Sequence, residues 1–373
     1  MDPTISGTYF EEASQQLSNL SQAIEQDVIA KDQLLEALAF TTKGWGHNPV
    51  PKELDTTGWI SNVSCDHSPF EYSVQLDRDT GDAQLRFLIE AQSEEISLVR
   101  SQESARLLNS DIAAKYNARV SLDSYNLIQD LFLPDEPNGV FAAWHRCAST
   151  KKGLEWKVYL NPSASGKDNV LSATGDAFEH LGLGDAWVFV KSIMTPGDSI
   201  GYFSLDLSPN QEEARVKVYI LHQDATASTI VNKHTCICPD ATWFETQRFC
   251  ESMANGSHGP YSSTPVVSCF AFTSKRPNQP VGTVHFPIHG YAENDADAQA
   301  RVERYLDEVS ASPVCKERYK KVINAARRRP LDQGRGVHAW VSLKQDSGYK
   351  RSITFYVSPE LFGPLQGTYL ITG

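Results

Sequence analysis

The sequence predicts an α+β protein: ten antiparallel strands closed into a barrel, with helices packed outside. Three observations carry that expectation. Strand-like segments come in five hairpins, each separated from the next by helical stretches. The second strands of these hairpins carry Arg86, Lys157, Lys217, His285 and Tyr356, spaced 71, 60, 68 and 71 residues apart. A helix–helix–strand–strand (ααββ-like) unit therefore recurs five times, and such a period decides architecture. Finally, Arg215-Val216-Lys217-Val218-Tyr219 puts two cations and a phenol on one strand face and only valines on the other. Alone, that segment reads as a strand with a solvated face. Within five repeats the valine face belongs under helices, and the charged face belongs to a lumen that ten strands leave wide enough for a ligand. Closure also removes exposed edges.

Each element follows from local pattern. Phe10, Leu17, Leu20, Ile24, Val28, Leu34 and Leu38 recur at helical spacing, so residues 1–50 supply helices lying on the outside of a single barrel domain spanning 1–373. The first hairpin is 70–76 and 84–89, turned at Asp79-Thr80-Gly81-Asp82. Helical patterns at 93–116 and 122–133 precede a second hairpin, 140–145 and 154–160, whose loop is rich in Lys and Gly. Helices over 173–193 lead to strands 201–207 and 214–221, and a helical run over 225–249 leads to strands 266–272 and 281–286. One long helix, 295–328, precedes the last pair, 337–343 and 352–357.

Composition narrows the function classes. A formal charge of −12 over 373 residues opposes non-specific nucleic-acid binding. Nothing in the sequence is apolar for long enough to cross a bilayer. MDPTISGTYFEEASQ has neither the basic start nor the apolar core of a secretory signal, so the seven cysteines read as reduced thiols in a cytoplasmic protein. His234-x-Cys236-x-Cys238 is spaced too tightly for a structural zinc site, and no metal site is expected. Phosphate-loop, nucleophile-elbow, HExxH and DDxxD motifs are absent from the sequence.

The lumen carries the chemistry. Arg86, Lys157, Arg215 and Lys217 face inward on this reading, with Glu71 as the one evident inward acid, so the missing counter-charge should come from a ligand. A diphosphate fits. Each cation about 4 Å from a phosphate oxygen gains roughly 4 kcal/mol at an effective dielectric near 20. Several together replace the metal that a diphosphate leaving group usually needs. Inward tyrosines suit an allylic cation left behind, worth about 1–2 kcal/mol per desolvated ring, and they exclude water. Glu71 can accept a hydrogen bond from an indole N–H. Structural alternatives exist: Lys157 and Lys217 could be solvated charges on an outward face, Arg86 could pair with Glu90, Glu71 could bridge or cap, His145-Arg146 could be an exposed polar turn, and His285 could be a packed histidine.

At these residues the chain resembles the dimethylallyltryptophan synthase family of aromatic prenyltransferases. The matching segments are Pro69-Phe70-Glu71, Leu85-Arg86-Phe87, Lys157-Val158-Tyr159, Phe203-Ser204-Leu205-Asp206-Leu207, Arg215 to Tyr219, and Tyr356-Val357-Ser358-Pro359-Glu360. The resemblance runs from Gly58 to Leu361 and rests on the order and spacing of these segments together. It implies the ABBA (prenyltransferase-barrel) fold, prenyl diphosphate as co-substrate, and no required cofactor. It implies that Arg86, Lys157, Arg215 and Lys217 hold the diphosphate, that Tyr159, Tyr219 and Tyr356 shield the cation, and that Glu71 holds the indole nitrogen. His285 stands where the family carries another shield tyrosine and keeps a polar role toward diphosphate or as a base. Asn161 replaces a tyrosine found in some tryptophan-using members, which weakens the case for free tryptophan. His145 lies near where some members place a proton-accepting lysine, and a reference pKa near 6.5 suits that task.

The expected function is metal-independent transfer of a dimethylallyl or longer prenyl group to a ring carbon of tryptophan or another indole. The expected partners are these small molecules, with the chain a monomer or weak homodimer. Transfer to a phenolic acceptor, and a non-catalytic barrel that only binds a ligand, are the competing readings.

Overall fold

The computed structural model describes residues 7–54, 60–93, 95, 97–235, 243–345 and 351–365. Ten strands form one closed antiparallel barrel in which each strand neighbours those before and after it in sequence, and β1 closes on β10. They are β1 (Phe70–Asp77), β2 (Ala83–Glu90), β3 (Ala143–Thr150), β4 (Gly153–Leu160), β5 (Asp198–Asp206), β6 (Val216–His222), β7 (Val266–Thr273), β8 (Arg276–Phe286), β9 (His338–Gln345) and β10 (Ser352–Val357). Two helices enter each hairpin: α1 (Tyr9–Ala23), α2 (Val28–Thr41), α3 (Leu98–Lys115), α4 (Asp123–Phe132), α5 (Val170–His180), α6 (Gly184–Ile193), α7 (Ala227–Thr235), α8 (Trp243–Met253), α9 (Asp295–Glu308) and α10 (Pro313–Ala326). The fivefold unit predicted from spacing is the fold.

Strand alternation decides what each face does. Phe70, Tyr72, Val74, Leu85, Phe87, Val158, Leu160, Phe203, Val216, Val218, Phe270, Phe286, Val341 and Phe355 point outward into one continuous core shared with the helices. The Tyr72 hydroxyl reaches the α1 carbonyl of Ala13 at 2.8 Å, fixing the first helix against the barrel wall. Helix starts are capped where the sequence offers oxygen: Thr8 and Glu11 form a reciprocal capping box on α1, and Asp27 caps α2.

Two of the differences from expectation bear on the argument. The long helix over 295–328 is two helices, because Ser310 adopts a left-handed φ of 53° and Ser312 caps a new helix that starts with Pro313. The second hairpin starts later than expected. β3 runs to Thr150, so Arg146, Cys147, Ala148 and Ser149 are strand where a loop was predicted. Among the described residues no helix is long and apolar enough to cross a membrane.

Candidate active site

Cross-strand register lines the cations up. Arg146 pairs with Lys157 across β3–β4, Lys157 pairs with Asp206 across β4–β5, and the Asp206 backbone amide donates to the Arg215 carbonyl. Lys217 lies one inward position further along β6, opposite Ser204. Arg86 is one inward position from Leu88, which faces Arg146. Strands β2, β3, β4 and β6, with Arg215 immediately before β6, thus bring Arg86, Arg146, Lys157, Arg215 and Lys217 to one end of the lumen. Arg215 sits at the mouth, where it also lines a recess of about 430 Å³ with Arg119 and Lys152.

This belt is not free of acid, which corrects the expectation that only Glu71 opposes it. Asp206 Oδ1 lies 2.6 Å from Lys157 Nζ, and Oδ2 lies 2.6 Å from Arg215 Nε. Glu155 Oε2 is a further 3.8 Å from Arg215 Nη2. Burial alone would raise the Asp206 carboxyl, but Lys157 and Arg215 outweigh it and hold it below the usual carboxylate range. Three cations keep no acidic partner. Arg86 hydrogen-bonds only the neutral Gln84 side chain, at 2.9 and 2.7 Å, so it does not pair with Glu90. The side chains of Arg146 and Lys217 make no hydrogen bond or ion pair among the described residues. Burial lowers Arg86 to about 10 and Lys217 to about 8, so both are largely charged at neutral pH.

Above the belt lies a chain of rings. Tyr159 and Tyr219 have centroids 5.7 Å apart, Tyr219 and His285 5.9 Å, and His285 and Tyr356 5.6 Å. The three predicted tyrosines are therefore together, with His285 in line between two of them. Burial, with Lys217 next in effect, lowers His285 to about 3, so its imidazole is neutral. Sequence reasoning missed Tyr202, which meets Tyr219 edge-on at 6.0 Å and Trp144 at 5.2 Å. Alternation from Ser204 and Asp206 would have found it. Trp144, stacked on Phe141 at 4.2 Å, and Trp340 complete the wall.

Glu71 occupies the other end. It is buried, faces inward opposite Leu88, and makes no hydrogen bond or ion pair among the described residues. Burial and then Asp66 raise its carboxyl well above the ordinary range. It also acts on the nearby Tyr202 hydroxyl, which burial first and Glu71 second hold above its usual value. Glu90 is separately buried, accepting from Ser61 at 2.7 Å. Asn161 is committed to structure: its side-chain amide donates to Phe141 and Asn138 carbonyls at 3.0 and 3.3 Å and its oxygen accepts from Ser163.

His145 is not in the lumen. It points into the helix layer, fully buried, with Nε2 3.0 Å from Asn109 Oδ1 on α3, and burial lowers it to about 3. The reason is parity: with β3 running from Ala143 to Thr150, Trp144, Arg146 and Ala148 take the inner face and His145 the outer one. The proton-accepting role suggested for it is therefore withdrawn. His234, the one described member of the tight His-x-Cys-x-Cys cluster, is buried in α7 and meets Ser268 at 2.9 Å, while Cys236 and Cys238 lie outside the described residues.

The family model for tryptophan dimethylallyltransferase matches residues 11–322. The chain belongs to that family. Solved structures agree along nearly its full length. A 6-dimethylallyltryptophan synthase from Micromonospora olivasterospora, in complex with DMASPP and Trp, is 25% identical, with a TM-score of 0.85 and coverage of 96% of this chain and 99% of that one. A 5-dimethylallyltryptophan synthase from Streptomyces coelicolor, also in complex with DMASPP and Trp, is 21% identical (TM-score 0.85; 97% and 98% covered). The prenyltransferase PriB, in a ternary complex with L-tryptophan and dimethylallyl thiolodiphosphate, is 22% identical (TM-score 0.86; 97% and 100% covered). This tryptophan dimethylallyltransferase-family enzyme is thus an aromatic prenyltransferase with the ABBA barrel.

Proposed function

We propose that this enzyme transfers a dimethylallyl, or longer prenyl, group from its diphosphate to a ring carbon of tryptophan or an indole derivative without a metal ion. The observation that carries the reading is the pair of opposed ionisable groups at the two lumen ends, each without a partner of opposite sign among the described residues. Among the described residues, Arg86, Arg146 and Lys217 lack acidic partners at one end, and Glu71 lacks a cationic one at the other, with a ring layer between. The tryptophan-bound and DMASPP-bound relatives of the same family support it.

Lys157, Arg215 and Lys217 with Arg86 and Arg146 would hold the diphosphate and stabilise the negative charge it gains as the allylic C–O bond breaks. Tyr159, Tyr219, Tyr202 and Tyr356 would face the resulting allyl cation and exclude water. The ring carbon then attacks, a C–C bond forms, and positive charge spreads to the indole nitrogen. Glu71 accepts that N–H. A protonated carboxyl still accepts through its carbonyl oxygen, and the developing positive charge favours its ionisation. The ring proton leaves to diphosphate or water, with neutral His285 the basic side chain available in the ring layer.

Labelled dimethylallyl diphosphate offered with a panel of indoles and phenols in EDTA tests the reading. Prenylated indoles that form without added metal are expected. Product only from phenols, product only when metal is added, or none at all would overturn it.

A further inference from the structure

A carboxylate in a diphosphate site works against ligand binding by simple Coulomb repulsion. Asp206 is nevertheless inside the belt, contacting two of its cations at once and receiving the Arg215 backbone amide at 3.2 Å as well. Its position is built in by register rather than by chance of rotamer, since Lys157 and Arg215 are its partners on both flanking strands. We propose that Asp206 is a positioning residue for the diphosphate site: by bridging Lys157 and Arg215 it keeps Lys157 charged and aimed along the belt before a ligand arrives. The inference rests on the belt being the diphosphate site.

Lys157 is the member of the belt that needs such help. It is 1% exposed, the most deeply buried of the five cations. It faces Arg146 on β3, Asp206 on β5, and Arg215 and Lys217 at and on β6; Glu155 and Tyr159 flank it on β4. Burial pulls its ammonium well below the ordinary lysine value, Asp206 pushes it back up, and Lys217, Arg215 and Arg146 pull it further down. Asp206 is the group that opposes this loss of charge. At 2.6 Å the two side chains form a close ion pair, and the carboxylate charge of Asp206 favours the ammonium form of Lys157. Arginines 146 and 215 need no such support, because a guanidinium holds its proton in any protein setting. Diphosphate then arrives at a site already charged and finds Lys157 held in place.

The sign of the pH dependence follows. A lysine is charged below its pKa, so a lysine that loses its carboxylate partner keeps its charge at low pH and gives it up as pH rises. Calorimetric titration of the full chain with inorganic diphosphate, at about pH 6.5 and about pH 8.5, reads this directly. The ratio of variant to wild-type affinity cancels the ligand's own ionisation. Asp206→Asn should bind nearly as well as wild type at the lower pH and about tenfold more weakly at the higher one, about the loss of one charged contact. Adding Lys157→Arg to Asp206→Asn should remove most of the pH dependence of this ratio, because arginine keeps its charge unaided; Lys217, lowered by burial to about 8 and also supported by Asp206, carries the remainder. Asp206→Glu should restore wild-type behaviour. Melting curves identify a variant that does not fold, and Asp206→Ser then takes the place of Asn with the same expectations. A wild type that binds no diphosphate would remove the reading of the site itself. A wild type that binds, beside an Asp206→Asn that binds equally or more tightly at both pH values, or is weakened equally at both, would overturn this inference alone.

Discussion

The two ends of the lumen bury ionisable groups in opposite ways. At the belt, five cations face each other and one carboxylate, Asp206, stitches two of them together. At the far end the Glu71 carboxyl, raised further by Asp66, meets no cation among the described residues. Buried charge left uncompensated is costly, so each end is a site waiting for the sign it lacks. Ionisation of an allylic diphosphate followed by indole attack delivers both: negative charge accumulates on the leaving group, positive charge on the ring N–H. The ring layer between them separates the two.

Removing the lone carboxyl breaks the contrast most severely. Glu71→Gln should lower kcat by roughly 10²–10³-fold, the usual cost of one group aimed at developing charge, while diphosphate affinity in a binding assay stays near wild type. At the belt, Arg146→Leu should weaken inorganic diphosphate binding by about 10–100-fold, the value of about 1.5–3 kcal/mol typical of one charged hydrogen bond. The pH profile sharpens the comparison. Glu71 titrates above the ordinary carboxylate range and is ionised only above its raised pKa, so kcat at saturating substrate should rise with pH along an acid limb. That limb should vanish in Glu71→Gln. The smallest effect on turnover belongs to His145→Leu, since His145 lies outside the lumen. Its kcat should stay within about twofold, while the Asn109 side chain left unpaired costs about 1–3 kcal/mol of stability in a denaturant titration.

The barrel was legible because the repeat is written in spacing, and spacing survives when individual strands are ambiguous. Inward Lys157, Lys217, Tyr159 and Tyr219 were legible because valines and leucines alternate with them on β4 and β6. β3 was not. Lys151-Lys152-Gly153 and the polar residues before it read as a broad loop, which ended the strand at His145 and hid its inner face. The misplaced boundary omitted Arg146 from the lumen, whereas the role of His145 came from the resemblance, which the strand's alternation overrules. Asp206 was within a recognised segment, but its side chain was never set against the cations. Its register opposite Lys157 depends on β4–β5 pairing, and neither strand specifies that pairing alone. The expected strand 337–343 likewise stops one residue short of Lys344, a β9 residue paired with Thr283 and Ser352.

The central claim is the division of labour between the two ends, and diphosphate titration of three proteins tests it most directly. Lys217→Met should bind inorganic diphosphate about 10–100-fold more weakly than wild type, and Glu71→Gln should match wild type within about twofold. Equal loss in both variants, or loss in Glu71→Gln alone, would contradict the account.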